Sequence, residues 1–367
     1  MFTETPSLHT SSSVTPQFQS MLANQATLQA SNSQLQTKRQ SLIEEIQALK
    51  KERCAVILAH LYERLEVQGV ADYHGDSLGL SQIAAQTDAE VIVFCGVHFM
   101  AETAKLLSPH KTVYLANPHA GCPMADMITA EELRGFKARY PGRPVVAYVN
   151  TSADVKAEAD FCCTSANAVD IVKATGASEV LFVPDKHLAG FVQKQVPEVK
   201  VIPWDGFCPT HLRMDPEDVK ALKKEYPEAI VLAHPECDDP IKDMADFLGS
   251  TTAIVNAAKT TQARVYIICT EDGVARRLSE DCPDKLFFTP TRQAAVCPNM
   301  KLTRLENIRK ALLGEVAPIE IPADIALKAR GCIDRMMEVP AANYQSKLFN
   351  GGTITSAGVA TGLFNKK

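Results

Sequence analysis

The sequence predicts an α/β protein made of three pseudo-threefold-related three-layer αβα domains, each with a small parallel sheet. Two observations predict this fold. Short apolar runs typical of buried strands alternate along the chain with helix-like runs. Four sequence features also recur three times in the same order, at intervals of 85 to 90 residues, about the size of a small domain.

The first repeated feature is a short apolar strand that ends in a polar cluster. The strands begin at Cys54, Pro144 and Ala229. The clusters that follow them are His60-Leu61-Tyr62, Tyr148-Val149-Asn150 and His234-Pro235-Glu236. The second feature is a hydroxyl residue at or near the start of the next helix-like run, namely Ser77, Ser165 and Thr251.

The other two repeated features complete each unit. A strand followed by a helix begins near Glu90, Glu179 and Arg264. Further strands begin at Thr112, Val199 and Leu286, and they end in Cys122, Cys208 and Cys297. Each repeat therefore reads as helix, strand, helix, strand, helix, strand.

The repeats predict where the chain divides. We expect α/β repeats at residues 38–125, 126–211 and 212–299, with helices in residues 300–340 that pack near the first repeat. Residues 1–37 are rich in Ser, Thr, Gln and Asn and contain no Lys or Arg, which predicts a disordered N-terminal tail. A transit peptide is the alternative, but such peptides are normally rich in arginine. Residues 341–367 are expected to form a C-terminal tail.

The repeated features are expected to meet. Strands that alternate with helices imply right-handed crossovers and a parallel sheet, in which ligands bind beyond the carboxyl ends of the strands. The polar clusters, the hydroxyl residues and the cysteines all fall at that edge. If the three edges face a common axis, the three cysteines converge on one point.

Three converging cysteines favour an iron–sulfur cluster over zinc. A structural zinc site takes four ligands, usually at short local spacing, whereas Cys122, Cys208 and Cys297 are nearly ninety residues apart. A 4Fe–4S cluster accepts three thiolates from separate domains and keeps one open iron, which acts as a Lewis acid. Cys163 and Cys237 lie near the same edge as competing ligands, but neither has a counterpart in the other repeats. The alternative is that all these cysteines are buried apolar residues.

The polar residues at this edge suggest a substrate class. Ser77, Ser165 and Thr251 predict a polyanionic substrate, because helix N-termini bind phosphate and carboxylate groups. The alternative is that these hydroxyls only cap helices. A candidate acid/base set consists of His60, Tyr62, His211, His234 and Glu236. The alternative for each histidine, taken alone, is that it is an ordinary hydrogen-bonded polar residue at the end of a strand or loop.

Composition excludes several functional classes. The chain has 38 Lys+Arg against 43 Asp+Glu and no basic run, so we expect no nucleic-acid partner. No apolar stretch approaches the length of a membrane span and no signal segment is evident, which predicts a cytoplasmic protein without membrane contact. The dipeptide Gly-Lys does not occur, so the P-loop signature is absent.

The motifs in their order resemble one known family. They are AH-x-Y, GDSL, VHFMAETAK, AGC-x-MAD, YVNT, CTSANA, PDKHL, W-x-G-x-C-x-x-H, HPE, GST and CPNM. Over roughly residues 40–340 the chain resembles quinolinate synthase. The resemblance implies that iminoaspartate and dihydroxyacetone phosphate condense to quinolinate, with loss of phosphate and two waters, on the way to NAD. It also implies transient contact with the oxidase that supplies unstable iminoaspartate.

The resemblance further implies residue roles. The ligands of a 4Fe–4S cluster are Cys122, Cys208 and Cys297. The substrate contacts are His60, Ser77, Tyr148, Asn150, Ser165, His234, Glu236 and Thr251. Tyr62 and Glu236 transfer protons, and His211 lies near the open iron.

The chain departs from the family pattern at two places. Leu61 stands where a second aromatic residue is common, and Thr291 and Ala294 replace extra cysteines found in some members, which puts a disulfide switch there in doubt. Two other functions share the cluster chemistry. One is an iron–sulfur hydro-lyase that acts on a polycarboxylate. The other is a non-catalytic iron–sulfur redox sensor, which would need a DNA-binding or partner-binding module that the sequence does not reveal.

Overall fold

The computed structural model of the chain describes residues 16–291 and 295–339. Two compact units are distinguished, Met1–Glu45 and Ile46–Lys367. A long helix, α1, runs from Pro16 to Glu52. No Gly or Pro interrupts it after Pro16, and Pro is favourable at a first helical position. Residues 16–37 are thus helical, whereas their polar composition led us to expect a disordered tail; residues 1–15 of that predicted tail lie outside the described residues.

The unit Ile46–Lys367 contains the three repeats and two C-terminal helices. The first repeat has β1 Ala55–His60, α2 Leu65–Val70, β2 Tyr73–Gly75, α3 Ser77–Gln86, β3 Val91–Cys95, α4 His98–Leu107 and β4 Thr112–Leu115. The second has α5 Ala130–Arg139, β5 Val145–Tyr148, α6 Ala153–Ala157, β6 Phe161–Cys163, α7 Ala168–Ala174, β7 Glu179–Val183, α8 Lys186–Gln195, β8 Lys200–Pro203 and α9 Pro209–Leu212. The third has α10 Pro216–Glu225, β9 Ile230–Ala233, α11 Asp239–Met244, β10 Phe247–Leu248, α12 Thr251–Thr260, β11 Val265–Cys269, α13 Asp272–Asp281 and β12 Leu286–Phe288. The C-terminal helices are α14 Leu305–Leu313 and α15 Ala323–Glu338.

Each repeat forms one four-stranded parallel sheet with the same strand order. The orders are β2-β1-β3-β4, β6-β5-β7-β8 and β10-β9-β11-β12. Every strand pair is parallel, as connections through helices require. The predicted fold class, three αβα domains with small parallel sheets, is confirmed.

The third sheet shows how both faces are buried. Side chains alternate between the two faces of a strand. Leu232 of β9 and Ile268 of β11 lie in one hydrophobic cluster, while their neighbours Val231 and Ile267 lie in another. Because each face packs into its own cluster, the sheet is the middle of three layers.

The prediction of three strands per repeat is wrong, because each sheet has a fourth, very short strand. These strands are β2, β6 and β10, of only two or three residues. Segments this short show no hydrophobic period from which they could be predicted.

An aspartate anchors the short strand in every repeat. The carboxylates of Asp72, Asp160 and Asp246 accept hydrogen bonds from the backbone N–H of Ile57, Val145 and Val231, at 2.9, 2.8 and 2.8 Å. Each aspartate N–H also donates to the carbonyl of the same strand residue. This shared contact is a structural signature of the triplication.

The C-terminal helices do not both pack on the first repeat. Helix α14 contacts β3 of the first repeat, as expected. Helix α15 packs mainly against α6 and β6 of the second repeat and also touches α4 of the first, so the prediction was too narrow for α15.

The predicted boundaries between repeats stay predictions, and Ala294 and residues 341–367 lie outside the described residues. Among the described helices, none has the length and apolar character needed to cross a membrane.

Candidate active site

All the residues predicted for the site line one cavity at the carboxyl ends of the strands. The space available to water-sized molecules in it is about 110 Å³, several times what one water needs. Its lining includes His60, Tyr62, Ser77, Cys122, Tyr148, Asn150, Ser165, Cys208, His211, His234, Glu236, Thr251 and Cys297. Residues from all three repeats therefore meet in a single site.

The three cysteines lie in loops and not at strand ends. The strands before them stop earlier, at Leu115, Pro203 and Phe288. The predicted strand ends at the cysteines are therefore wrong. The loops instead carry Cys122, Cys208 and Cys297 onward to the cavity.

The three thiols are close enough to influence one another. Burial raises the pKa of Cys122 to about 12, and the charge of a Cys297 thiolate contributes in the same direction. Burial also raises the pKa of Cys208 well above its usual value, and Glu236, Cys122 and Cys297 all add to the increase. A cation bound here would reverse these shifts, because it favours thiolates.

The competing cysteines are placed differently. Cys163 and Cys237 are fully buried and do not line the cavity. The Cys237 thiol donates to the carbonyl of Cys269 at 3.2 Å. A compact group of potential metal ligands among the described residues is instead formed by Cys208, His211 and Glu236, whose ligand atoms lie within 4.8 Å of one another.

Glu236 is the electrostatic centre of the site. Its carboxylate accepts a 2.6 Å hydrogen bond from the Tyr148 phenol and lies 2.9 Å from Nδ1 of His211. Burial alone would raise the pKa of Glu236. Attraction to His211 and His234, with hydrogen bonds from His211 and Tyr148, outweighs burial and holds this pKa well below its usual range. The carboxylate of Glu236 is therefore ionised. It can accept a proton only once its hydrogen-bond donors are displaced.

Tyr62 lies at the opposite end of a hydrogen-bond chain. Its phenol is 2.8 Å from Oγ1 of Thr270 and accepts a 3.1 Å hydrogen bond from Thr251. Oγ1 of Thr270 is also 3.0 Å from Nε2 of His211, whose other ring nitrogen faces Glu236. Burial, together with the charge of Glu236, raises the pKa of Tyr62 well above its usual value. Tyr62 is therefore a neutral phenol connected to an ionised carboxylate.

Sequence reasoning missed Thr270. It is fully buried and directly follows β11. The corresponding positions after β3 and β7 are Gly96 and Pro184, so comparison of the repeats gave no signal for a hydroxyl group there.

His60 and His234 occupy equivalent positions and have equivalent contacts. Nδ1 of His60 accepts from the N–H of Tyr62 at 3.2 Å, and Nδ1 of His234 accepts from the N–H of Glu236 at 3.3 Å. Burial lowers the pKa of each to about 4, although nearby carboxylates oppose the shift. Both are neutral near pH 7, with the proton on Nε2. Nε2 of His234 is 3.1 Å from the Ser165 hydroxyl.

The three predicted hydroxyl residues differ in their relation to helices. Ser77 and Thr251 are the first residues of α3 and α12, but the caps are Asp76 and Ser250. Ser165 lies two residues before Asn167, the N-cap of α7, so it is near the helix start, as expected, but is not part of the helix. The backbone turn before each helix determines which residue is its cap. A run of hydroxyl residues does not show from sequence where that turn lies.

Two further polar groups complete the lining. Oδ1 of Asn150 is buried and has no hydrogen-bond partner among the described residues. Arg213, which sequence reasoning missed, is the only Arg or Lys among the described residues that line the cavity. The unpaired acceptor suits an N–H or O–H group of a ligand, and the cation suits an anionic group.

Comparison with known proteins decides the family. A family model described as "Quinolinate synthetase A protein" matches residues 44–338. The chain belongs to the quinolinate synthase family. Its similarity to curated members of this family covers almost their whole length, and the resemblance in the motifs is confirmed.

Three such members show the extent of the similarity. The quinolinate synthase of Thermodesulfovibrio yellowstonii is 51% identical over 295 residues, which cover 80% of this chain and 97% of that protein. The one from Dehalococcoides mccartyi is 50% identical over 301 residues, 82% of this chain and 99% of that protein. The one from Geobacter metallireducens is 52% identical over 297 residues, 81% and 97% of the two chains. The range matched by the family model, residues 44–338, spans the strands of all three repeats and every cavity residue named above.

Proposed function

We propose that this chain condenses iminoaspartate with dihydroxyacetone phosphate to form quinolinate, releasing phosphate and two waters, in de novo biosynthesis of NAD. The observation that carries the proposal is the cavity itself. An ionised Glu236 and a neutral Tyr62 are connected through His211 and Thr270, beside three cysteines from separate repeats. Membership of the quinolinate synthase family supports the same reaction.

The residues present fit a 4Fe–4S cluster. Cys122, Cys208 and Cys297 come from three loops, line the same cavity and are free thiols. When bound, such a cluster held by three thiolates would supply one open iron as a Lewis acid. We therefore propose these three cysteines as the ligands and place His211, 3.1 Å from the Cys208 sulfur, beside them.

The remaining polar groups suit the charges of the substrates. Two carboxylates and a phosphate need several hydrogen-bond donors at close range. We assign substrate contacts to His60, Ser77, Tyr148, Asn150, Ser165, His234, Glu236 and Thr251. Two of them begin helices whose partial positive charge attracts anions, and Arg213 adds a full positive charge.

The protonation states suit the isomerisation of the triose. Interconversion of ketone and enediol needs a base that removes a proton from carbon and an acid that protonates oxygen. We assign the base to Glu236, which is ionised, and the acid to Tyr62, which keeps its proton. The hydrogen-bond chain through Thr270 and His211 offers a route by which the proton returns between them.

Anaerobic purification with iron and sulfide counting, followed by an assay of quinolinate formation, tests this function. We expect about four irons and four sulfides per chain, the composition of a 4Fe–4S cluster. Cys122→Ser, Cys208→Ser and Cys297→Ser should each lose the cluster and the activity. The matched controls Cys163→Ser and Cys237→Ser should keep both, because neither thiol lines the cavity.

Other outcomes point to other functions. A colourless protein with one bound zinc would overturn the proposed cluster. If the Cys237→Ser variant were colourless while the Cys297→Ser variant stayed brown, the ligand assignment would be wrong. A protein with a cluster that dehydrates a polycarboxylate but forms no quinolinate would be a hydro-lyase. A cluster without any turnover would favour a redox sensor.

We also propose a cytoplasmic location for the protein. We propose transient contact with the oxidase that produces iminoaspartate, because that substrate is short-lived.

A further inference from the structure

A buried ion pair lies behind the cavity, between the first and third repeats. Glu271 is the N-cap of α13, and its side chain is fully buried. Nζ of Lys301 is 2.9 Å from one carboxylate oxygen of Glu271 and 3.0 Å from the other. The Lys301 side chain is 15% exposed, so water screens this pair only weakly.

Each member of the pair holds one part of the candidate site. Glu271 accepts a 3.1 Å hydrogen bond from the backbone N–H of Cys297, the proposed cluster ligand of the third repeat. Lys301 donates to the backbone carbonyl of Tyr62, the proposed acid in the first repeat. The pair therefore connects the backbone of a cysteine ligand to the backbone of a proton donor 235 residues away in sequence.

The surrounding backbone is built closely around the pair. The N–H of Gly273 donates to Glu271 at 2.7 Å. A Cβ atom at Gly273 would lie 2.8 Å from the Glu271 carboxylate, 2.8 Å from the carbonyl of Leu61 and 3.1 Å from Nζ of Lys301. Only glycine leaves room for this arrangement.

We infer that Glu271 and Lys301 are positioning residues, which set the place of the ligand Cys297 and of Tyr62 relative to each other. The inference rests on the proposed function for the roles of those two residues. Replacing Glu271 by Gln takes the counter-ion from Lys301 and leaves a single oxygen to accept from both Cys297 and Gly273. The Cys297 loop and the Tyr62 loop then lose their common anchor.

Glu271 is a better residue to change than Lys301. Lys301 also lies near the carboxylate of Glu63, which is fully buried. Loss of Lys301 would leave two buried carboxylates without a cation, which destabilises folding generally. Glu271→Gln keeps the shape and one acceptor oxygen, and Gly273→Ala displaces the pair without removing any of its polar groups.

The matched control is Asp281→Asn at the other end of α13. Asp281 also pairs with two cations, Lys259 and Arg277, but touches neither Cys297 nor Tyr62. Four variants are compared with the wild type: Glu271→Gln, Glu271→Asp, Gly273→Ala and Asp281→Asn. Glu271→Asp keeps the charge on a shorter side chain and should give an intermediate result.

The first measurement is the rate at which an iron chelator removes iron under anaerobic conditions. Loss of a partner that orients a metal ligand typically costs 10- to 100-fold, so Glu271→Gln and Gly273→Ala should lose iron about 10-fold faster or more. Their kcat should fall at nearly unchanged KM, because Tyr62 moves while the substrate contacts stay. Asp281→Asn should match the wild type in both respects.

The second measurement does not depend on the cluster. Iodoacetamide alkylation of Cys297 in the full-length metal-free chain, followed by peptide mass spectrometry, should be faster in Glu271→Gln, with Cys122 as the internal reference. Wild-type rates of both iron loss and Cys297 alkylation in Glu271→Gln would overturn the inference. A wild-type protein without a cluster would overturn the proposed function, and the alkylation rates would still decide the role of Glu271. If Glu271→Gln does not fold, Glu271→Asp and Gly273→Ala decide by the same criteria.

Discussion

The phenol of Tyr148 donates a 2.6 Å hydrogen bond to Glu236, although the two residues are 88 positions apart and belong to different repeats. Tyr148 ends β5 of the second repeat and Glu236 follows β9 of the third. A charge-assisted bond of this length is strong and fixes the carboxylate in one orientation. The contact joins two repeats at Glu236, the carboxylate that we propose as the base.

Tyr148→Phe tests the effect of this bond on Glu236. Without the phenol, the carboxylate loses a donor that favours its ionised form, so the pKa of Glu236 should rise. The acidic limb of the kcat/KM profile should therefore move to higher pH. The rate at neutral pH should fall by about 10-fold or more, because the carboxylate also loses the bond that holds it in one orientation. Tyr140→Phe, outside the cavity, is the control. If the acidic limb were unchanged in Tyr148→Phe, the group whose protonation limits the rate at low pH would not be Glu236.

Ser250 and Thr251 are adjacent hydroxyl residues with different expected roles. Ser250 caps α12 by accepting from the N–H of Ala253 at 3.4 Å, while Thr251 lines the cavity and donates to Tyr62. Thr251→Val should raise KM with little change in Tm. Ser250→Ala should lower stability by about 1 kcal/mol, the usual value of an N-cap.

Thermal melting and substrate titration of both variants decide between capping and binding. If Thr251→Val lowered Tm and left KM unchanged, Thr251 would be structural. Ser165→Ala extends the test to the second repeat, where the cap of α7 is Asn167 and the serine hydroxyl faces His234. Loss of affinity without loss of stability is expected there too.

The triplication explains how much of the site the sequence predicts. Three copies of the same pattern align His60 with Tyr148 and His234, and Cys122 with Cys208 and Cys297, so residues far apart in sequence can be assigned to one sheet edge. Thr270 occurs in one repeat only and therefore has no such support. The same holds for Glu271, whose partners Cys297 and Lys301 are brought to it by a loop.

Local geometry accounts for the remaining differences. Strands β2, β6 and β10 are set by the aspartate contacts and by pairing with a central strand, since two or three residues carry no period of their own. The cap of a helix depends on the backbone angles of one residue, so Asp76 and Ser77 could not be told apart as caps. The main packing of helix α15, on α6 and β6 of the second repeat, was missed because the sequence gives no sign of which distant repeat its apolar face contacts.

The neutral histidines His60 and His234 predict how stability depends on pH. Their pKa is about 4 in the folded protein, against an ordinary value of 6.5, so the unfolded chain binds more protons between these values. Stability should therefore fall as pH decreases from about 6.5 towards 4. By linkage each histidine accounts for about 2 kcal/mol between pH 7 and pH 5.

Urea unfolding at several pH values under anaerobic conditions measures this dependence. The double variant His60→Gln/His234→Gln should flatten the curve between pH 5 and pH 7. The exposed His119 is the control, and His119→Gln should keep the wild-type slope. An equal slope in the double variant would show that these histidines are protonated in the folded protein at the same pH as in the unfolded chain.

Tyr62→Phe tests the proposed acid. The change removes only the hydroxyl that contacts Thr270 and Thr251, and it keeps the ring that packs edge-on against His60 at 4.4 Å. Folding and cluster content should stay intact, while kcat falls by about 10²-fold or more, the usual effect of removing an acid/base group. Iron and sulfide counts, Tm and kcat are measured together under anaerobic conditions. Tyr226→Phe, outside the cavity, should behave as the wild type. A wild-type kcat in Tyr62→Phe would remove this phenol from the mechanism, and loss of the cluster would show that its contribution is structural.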